Sequence, residues 1–440
     1  MKMKKKYIMA AVVSLFLSGV LNAQTNTYNI PEQLSELIKK AFDNYPKLKA
    51  GDAYIKMDQT QRDLAKAGYM PTIDGEANYR YGKPTPSITF PGFGSFAFFP
   101  ANNYDLHVGA ALPIWDFGRT AANVKKTLAE IQTSKDNLES AKQDLAYQIA
   151  ELYCAIIFYN KSVEVENEQI KVLQDNVDII AKRVQDGDAL KFDLLSTQVK
   201  LNNSQNQLID LQNNLEKDYE FLDMLTAQQG DGYITREDIG FNTSGHEDVS
   251  SDKNYDLIIM NDQMNSSQVD IKSARNNWLP KIVAKAQIGY QDGYVGTEAS
   301  GGFIPIDKLL LTGSIGVGLS IPIYGADRPN YRIKIAQINV EATKYNIETE
   351  KMNLDNQILQ AKSDLKATQD KLKNYEVQIE QAKEALNLAE IRYKAGVITN
   401  LELLTAQDDA QNAELGEIQL KFQVLLSTLT INKLGATKFW

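Results

Sequence analysis

Four segments of the chain alternate apolar and polar residues with period two. In 71–82, Ile73, Ala77, Tyr79 and Tyr81 oppose Thr72, Asp74, Glu76, Asn78 and Arg80. In 104–115 the apolar set is Leu106, Val108, Ala110, Leu112 and Ile114. In 280–291 it is Ile282, Ala284, Ala286, Ile288 and Tyr290, opposed by Lys281, Lys285 and Gln287. In 310–324 it is Leu311, Ile315, Val317, Leu319, Ile321 and Ile323, opposed by Thr312, Ser314, Gly316, Gly318 and Ser320. This period predicts strands with one apolar and one wet face. Each has about the 9–11 residues that a tilted strand needs to cross a bilayer. Aromatic residues mark the ends. Tyr69, Trp115, Trp278 and Tyr324 sit at the helix-side junctions, and Tyr81, Tyr104 and Tyr290 toward the loops. Such placement is an interfacial girdle.

The rest of the chain has a helical period. No proline occurs between Pro113 and Pro280, and none after Pro329. The stretches 119–186 and 329–395 therefore read as single helices, each roughly 100 Å long at 1.5 Å per residue. Ile358, Leu365, Leu372, Ile379, Leu386 and Tyr393 recur every seven residues, as do Ile149, Ile156, Val163, Ile170, Val177 and Val184. That repeat predicts a coiled-coil seam. Gly187 and Gly396 stop the two long helices, and return helices are predicted over 189–225 and 398–435.

The chain is written twice. A shift of 209 positions sets Leu48 on Leu257, Tyr69 on Trp278, Pro71 on Pro280, Trp115 on Tyr324 and Arg119 on Arg328. It also sets Arg183 on Arg392, Gly187 on Gly396 and Asp193 on Glu402. The first repeat spans 24–225 and the second 254–440, joined by a Gly-, Asp- and Ser-rich connection over 226–253. Each repeat runs helix, strand, strand, long helix, return helix.

Four strands cannot close a barrel with an interior. Open edges in lipid leave backbone groups unpaired. A membrane sheet of this size must therefore be completed by further copies of the chain. Two copies would make a small filled barrel, three an open one, and the pattern alone requires only more than one.

Residues 1–23 read as a secretory signal peptide: Lys2, Lys4, Lys5 and Lys6, an apolar stretch from Ile8 to Val20, and a small-residue site at Ala23. Its loss removes four lysines and no acid, so the formal charge falls from −9 to −13. That balance argues against a nucleic-acid partner. No apolar run beyond the signal is long enough for a transmembrane helix. The one cysteine, Cys154, excludes an internal disulfide and reads as packed within its helix. His107 falls on a wet strand face and is expected to have no companion ligand nearby. The run Gly313 to Gly318 lacks the following helix of a phosphate loop, and its glycines read as small wet-face residues. No nucleophile elbow, zinc motif or cofactor motif is present, so no enzyme, metal or cofactor is expected. The loop 83–103 gathers Phe90, Phe93, Phe96, Phe98 and Phe99. It should face outward and either cap the pore mouth, bind a surface partner or pack on the neighbouring protomer.

These features together resemble the TolC family of outer-membrane efflux proteins. The resemblance covers nearly all of the mature chain. It is carried by Tyr45-Pro46-Lys47-Leu48, Leu279-Pro280, Leu112-Pro113-Ile114, Ile321-Pro322-Ile323, Arg392-Tyr393-Lys394-Ala395-Gly396 and Leu401-Glu402-Leu403-Leu404. It implies an α+β membrane protein with an internal two-fold repeat. Four strands would join a trimeric twelve-stranded β-barrel, continued by a long α-helical coiled-coil barrel in the periplasm. The implied partners are a homotrimer, outer-membrane lipid, a periplasmic adaptor (membrane fusion protein) and an inner-membrane pump. The implied function is the passive exit duct of a tripartite efflux or type I secretion system. The tips around Arg183, Gly187, Arg392 and Gly396 would dock the adaptor. Glu402, with its repeat partner Asp193, would form a periplasmic gate, and the family's further acidic position is Thr405 here. Lipidation does not carry over, since no Cys follows the signal. The main alternative is a soluble periplasmic coiled-coil adaptor or scaffold, which suits the helices but not the aromatic-ended strands. A diffusion porin would be nearly all strand.

Overall fold

The computed structural model describes residues 31–92, 94–97, 100–227, 249–293, 307–323 and 329–440. The signal peptide, Tyr324, Phe93, Phe98, Phe99 and most of the connection between repeats lie outside the described residues.

The chain opens with helices α1 (Glu32–Asn44) and α2 (Pro46–Ala67). One continuous helix was the expectation here, and proline is the reason it breaks. Tyr45 is pushed to an extended conformation with ψ 119°, and Pro46 starts the next helix, where its missing N–H costs nothing. Strand β1 (Thr72–Tyr81) follows, then a short hairpin of β2 (Ser87–Phe90) and β3 (Gly94–Ala97), then β4 (Asn102–Trp115). The hairpin occupies the aromatic stretch that reads from sequence only as a loop. The long helix α3 (Arg119–Asp186) has 68 residues, and α4 (Lys191–Thr226) runs back along it. The second repeat contains α5 (Tyr255–Asn276), β5 (Lys281–Gln291), β6 (Leu310–Ser320), α6 (Pro329–Lys394) and α7 (Asn400–Leu434). The return helices begin two residues later than the glycine stops suggest. Strand β6 ends at Ser320, ahead of the predicted 324.

The internal repeat is present in the elements themselves. Helix α2 starts at Pro46 and α5 at Tyr255, β1 at Thr72 and β5 at Lys281, α4 at Lys191 and α7 at Asn400. Each pair is offset by the same 209 positions.

One four-stranded antiparallel sheet has the order β1-β4-β5-β6. The helices nearest it keep that order: α2 packs on α3, α3 on α5, and α5 on α6. At the far end the order is α4-α3-α7-α6. The molecule is therefore one layer, with strands at one end and helix hairpins at the other. Its outer edges are β1 with α2 and α4 on one side, and β6 with α6 on the other.

The main core is a belt about the middle of α3. Leu34, Ile38, Ala41, Leu145, Tyr147, Ile149, Tyr153, Cys154, Ile156, Leu222, Leu225 and Leu429 are buried there. The C-terminal tail closes it. Tyr147 Oη donates to the Thr437 carbonyl at 2.8 Å, and its ring meets Phe439 edge-on at 4.8 Å. Cys154 is fully buried, and that burial pushes its thiol up to about 12. It is a packing residue, as its position on the helix implied. Of the twelve seam positions, Ile149, Ile156, Val177, Ile358 and Leu365 are buried and the other seven are half-buried.

Candidate functional site

The sheet turns the usual rule of burial around. Its apolar residues form straight rows across all four strands. Ile73, Ala110, Ala286 and Ile315 make one row, and Ala77, Leu106, Tyr290 and Leu311 another. Nothing among the described residues covers this face: Ile315 is 88% exposed, Ile73 70% and Val317 69%. On β4 the polar residues Asp105 and His107 are more shielded than Leu106 and Val108. A soluble protein hides such a face, because each fully exposed Ile or Leu forgoes about 1.5–3 kcal/mol. An apolar face of this kind belongs against lipid. Among the described residues no helix is long and apolar enough to cross a membrane.

The opposite face carries the charges. Glu76 stands opposite His107, Asp74 opposite Gly109, and Lys285 opposite Ala111 and Gly316. His107 is not isolated, contrary to the expectation from spacing. Its Nδ1 lies 2.9 Å from Asp105 Oδ1, and its Nε2 3.6 Å from Glu76 Oε2. Asp105 is two residues away on the same face of β4, and the pairing of β1 with β4 brought Glu76. No group of three His, Cys, Asp or Glu among the described residues is arranged to hold a metal. Gly289 faces His107 where β5 runs close to β4; a Cβ there would lie 2.2 Å from the Leu106 carbonyl oxygen. One glycine of the 313–318 run departs from its expected face. Gly316 and Gly318 are on the wet side, but Gly313 pairs with Ile288 in an apolar row.

Three of the four predicted girdle residues are described. Tyr69 and Trp115 are exposed, and Trp278 is half-buried. Strict alternation would turn Trp115 to the wet face. A register shift between Pro113 and Trp115 instead pairs Trp115 with Ile282 of the apolar set. Pro113 offers no N–H to the ladder, and a bulge accommodates that loss. Below it, Phe117 and Gly118 both take positive φ as the strand turns into α3. The Asp116 carboxylate accepts from the Gly118 and Thr120 amides at 3.0 and 2.7 Å. Arg119 donates to the carbonyls of Asn276, Asn277 and Leu279, tying α3 to the end of α5.

At the far end, two glycine tips lie side by side. Gly187 has φ 85° and Gly396 φ 70°. Asp188 N donates to Arg183 O at 2.7 Å, and Val397 N to Arg392 O at 2.9 Å. Gly187 N and Gly396 N donate to the carbonyls three residues back. This is the Schellman stop, and the left-handed φ is why it needs glycine. A Cβ on either glycine would meet open space. The Arg183 guanidinium sits 5.7 Å over the Tyr393 ring, linking the two tips. Asn400 Nδ2 donates to Thr197 Oγ1 at 3.0 Å, a second link. Arg392 belongs to the terminal turn of α6.

Glu402 is exposed, but it is also bound. Its Oε2 accepts from Thr399 N at 2.7 Å, and Glu402 N donates to Thr399 Oγ1. This is a complete capping box. The Thr399 amide, then its hydroxyl, hold the Glu402 carboxyl below its ordinary value. The Thr-x-x-Glu spacing of this box is legible in the sequence. Its repeat partner Asp193 also lies in a first helical turn, but Leu190 replaces the capping threonine. Thr405 Oγ1 donates to the Leu401 carbonyl within its own helix.

Between tips and core, polar contacts join the two repeats. Lys200 pairs with Asp408, Asn176 Nδ2 donates to Gln407 Oε1 at 3.3 Å, and Gln411 Nε2 donates to Glu166 Oε2 at 2.8 Å. Glu166 is fully buried with its other oxygen unpartnered, and that burial raises its carboxyl despite the bonds from Ser204 and Gln411.

A family model described as outer membrane efflux protein matches residues 37–228 and 252–436. The chain belongs to that family. Each repeat carries one of the two matched stretches. Outer membrane efflux proteins are exit channels of efflux and type I secretion, and this member resides in the outer membrane with its helices in the periplasm. The outer membrane efflux protein BepC of Brucella suis is 22% identical over 437 residues, 97% of this chain and 89% of that one. The alkaline protease secretion protein AprF of Pseudomonas aeruginosa is 20% identical over 386 residues, 85% of this chain and 78% of that one. Among solved structures, CusC has a TM-score of 0.78 at 15% identity, covering 95% of both chains. VceC of Vibrio cholerae has a TM-score of 0.74 at 18% identity, covering 93% of this chain and 97% of that one. These structural likenesses carry the fold. Nothing in them favours the soluble scaffold.

Proposed function

We propose that three copies of this chain close a twelve-stranded barrel in the outer membrane and a helical tunnel beneath it. The assembly is a passive duct, fed by a periplasmic adaptor and an inner-membrane pump. One observation carries this reading: a lipid-fit sheet whose two edge strands, β1 and β6, have no further partner among the described residues. Unpaired edges in hydrocarbon cost several kcal/mol per group, so the edges must meet other copies. The helices support the same closure. Tyr331, Ile338, Tyr345, Met352 and Leu359 form an exposed seven-residue stripe along edge helix α6. Tyr54, Met57 and Leu64 are exposed on α2 at the opposite edge, where the next copy would meet that stripe.

In this reading Tyr69, Trp115, Trp278 and Tyr324 form the girdle. The tips at Arg183, Gly187, Arg392 and Gly396 dock the adaptor. Exposed Val397 and Leu401 beside Gly396 give that docking an apolar component. Glu402 and Asp193 contribute carboxylates at the narrow mouth, with Thr405 one turn further in. The test is the mass of the detergent-solubilised particle by light scattering, corrected for bound detergent. Three chains are expected. A monomer soluble without detergent would remove both barrel and gate.

A further inference from the structure

The wet face of the sheet is sorted by charge along the strands, which no reading of single strands reveals. Basic residues come first from the helix side: Lys281 pairs with Ser320, and Lys285 shares a row with Thr72, Ala111 and Gly316. The next rows outward are acidic. Asp74 shares its row with Gly109, Gln287 and Ser314; Glu76 lies one row beyond, and Asp105, opposite Asn78, one further. Arg80, beside Asn103, is the one cation among the later rows of β1. Strand β6 adds no charge to this face, only Thr312, Ser314, Gly316, Gly318 and Ser320. Both lysines are exposed and make no ion pair among the described residues, whereas Glu76 and Asp105 flank His107.

We propose that the barrel is a bipolar, rectifying ion path, with a basic zone of Lys281 and Lys285 on the periplasmic side and an acidic zone of Asp74, Glu76 and Asp105 beyond it. This rests on the channel reading above, which turns the wet face to the lumen and multiplies each zone by the number of copies. The physics is that of fixed charge against screening. A basic zone is filled mainly by anions and an acidic zone mainly by cations. When the outer side is positive, cations enter through the acidic zone and anions through the basic zone. Both accumulate where the zones meet, and conductance is high. Reversed polarity draws both away and depletes the junction. The effect requires a screening length comparable to the lumen radius, which holds at about 30 Å in 0.01 M salt and fails at about 3 Å in 1 M. Organic cargo would meet the same order of fields, so anionic groups are drawn in at the periplasmic mouth of the barrel and cationic groups near its outer part.

The test is current against voltage for the full-length protein in planar bilayers of known orientation. The pair Lys281→Gln with Lys285→Gln and the pair Glu76→Gln with Asp105→Asn are compared with wild type. At 0.01 M salt the wild-type current should be at least about twofold larger with the outer side positive, and symmetric at 1 M. The lysine pair should abolish that asymmetry and move the reversal potential in a salt gradient toward cation selectivity. The acid pair, which leaves Asp74 in place, should reduce it and move the reversal potential the opposite way. Each variant is first shown to form the same detergent particle as wild type. Symmetric wild-type currents at low salt, or asymmetry unchanged in both variants, would overturn the proposal while leaving the channel intact. Absence of any wild-type conductance would instead remove the channel reading, and this inference with it.

Discussion

Glu402 shows how one side chain can hold two jobs that a single substitution confuses. Its carboxylate completes the Thr399 capping box and, in the proposed trimer, adds charge at the mouth. Glu402→Ala removes both. Glu402→Gln keeps the box, because glutamine fills that position as well as glutamate. Block of the channel by multivalent cations should therefore weaken in both variants. Thermal stability should fall only in Glu402→Ala, which loses the side-chain half of the box. Block unchanged in Glu402→Gln would reduce Glu402 to a capping residue. The same separation applies at Gly396, where open space around the Cβ position means that a larger residue is resisted only by its positive φ.

At the scale of elements, the contact between α3 and α5 joins the two repeats beneath the barrel. Asp262 on α5 faces Asp136 on α3 there. Burial first, then the neighbouring Asp136, push the Asp262 carboxyl up to about 6. Such a pair titrates jointly and shares its proton. The sign follows from linkage. The folded state retains a proton that the unfolded chain releases near pH 4, so stability falls as pH rises from about 4 to about 6. Above that window the penalty is complete. Asp262→Asn should raise the melting temperature of the solubilised particle at pH 8, and the gain should vanish near pH 4. An equal gain at both pH values would mean that packing, and not charge, limits the contact. The nearby pair of Lys126 with Asp270, at 2.8 Å, holds the same two helices with opposite charges.

For the whole molecule, the decisive property is which face of the sheet meets lipid. Ile315 and Ser314 are adjacent on β6 and point to opposite faces. Ile315→Lys puts a charge into hydrocarbon, at about 2–4 kcal/mol per copy near the midplane. Ser314→Lys puts the same charge into the lumen. The expected result is loss of Ile315→Lys from the carbonate-washed outer-membrane fraction, with Ser314→Lys retained. Retention of both would mean that the sheet does not face lipid as assigned.

By itself the sequence determined everything governed by local period and by chain punctuation. The strands and their apolar faces, the two long helices, the glycine stops and the 209-residue repeat all follow from interactions between near neighbours, which spacing records. The break at Tyr45-Pro46 belongs to the same class and was legible in the X-Pro rule. Other features depend on which segments lie beside one another, and only the tertiary structure decided those. Pairing of β1 with β4 brought Glu76 to His107, and the bulge after Pro113 returned Trp115 to the apolar face. Packing of distant helices set Asp136 against Asp262, Arg183 on Tyr393 and Gln411 on Glu166. These partners stand tens to hundreds of positions apart, and periodicity within one element carries no record of register between two. The sorting of charge along the wet face is a property of that register, so it is invisible in any one strand.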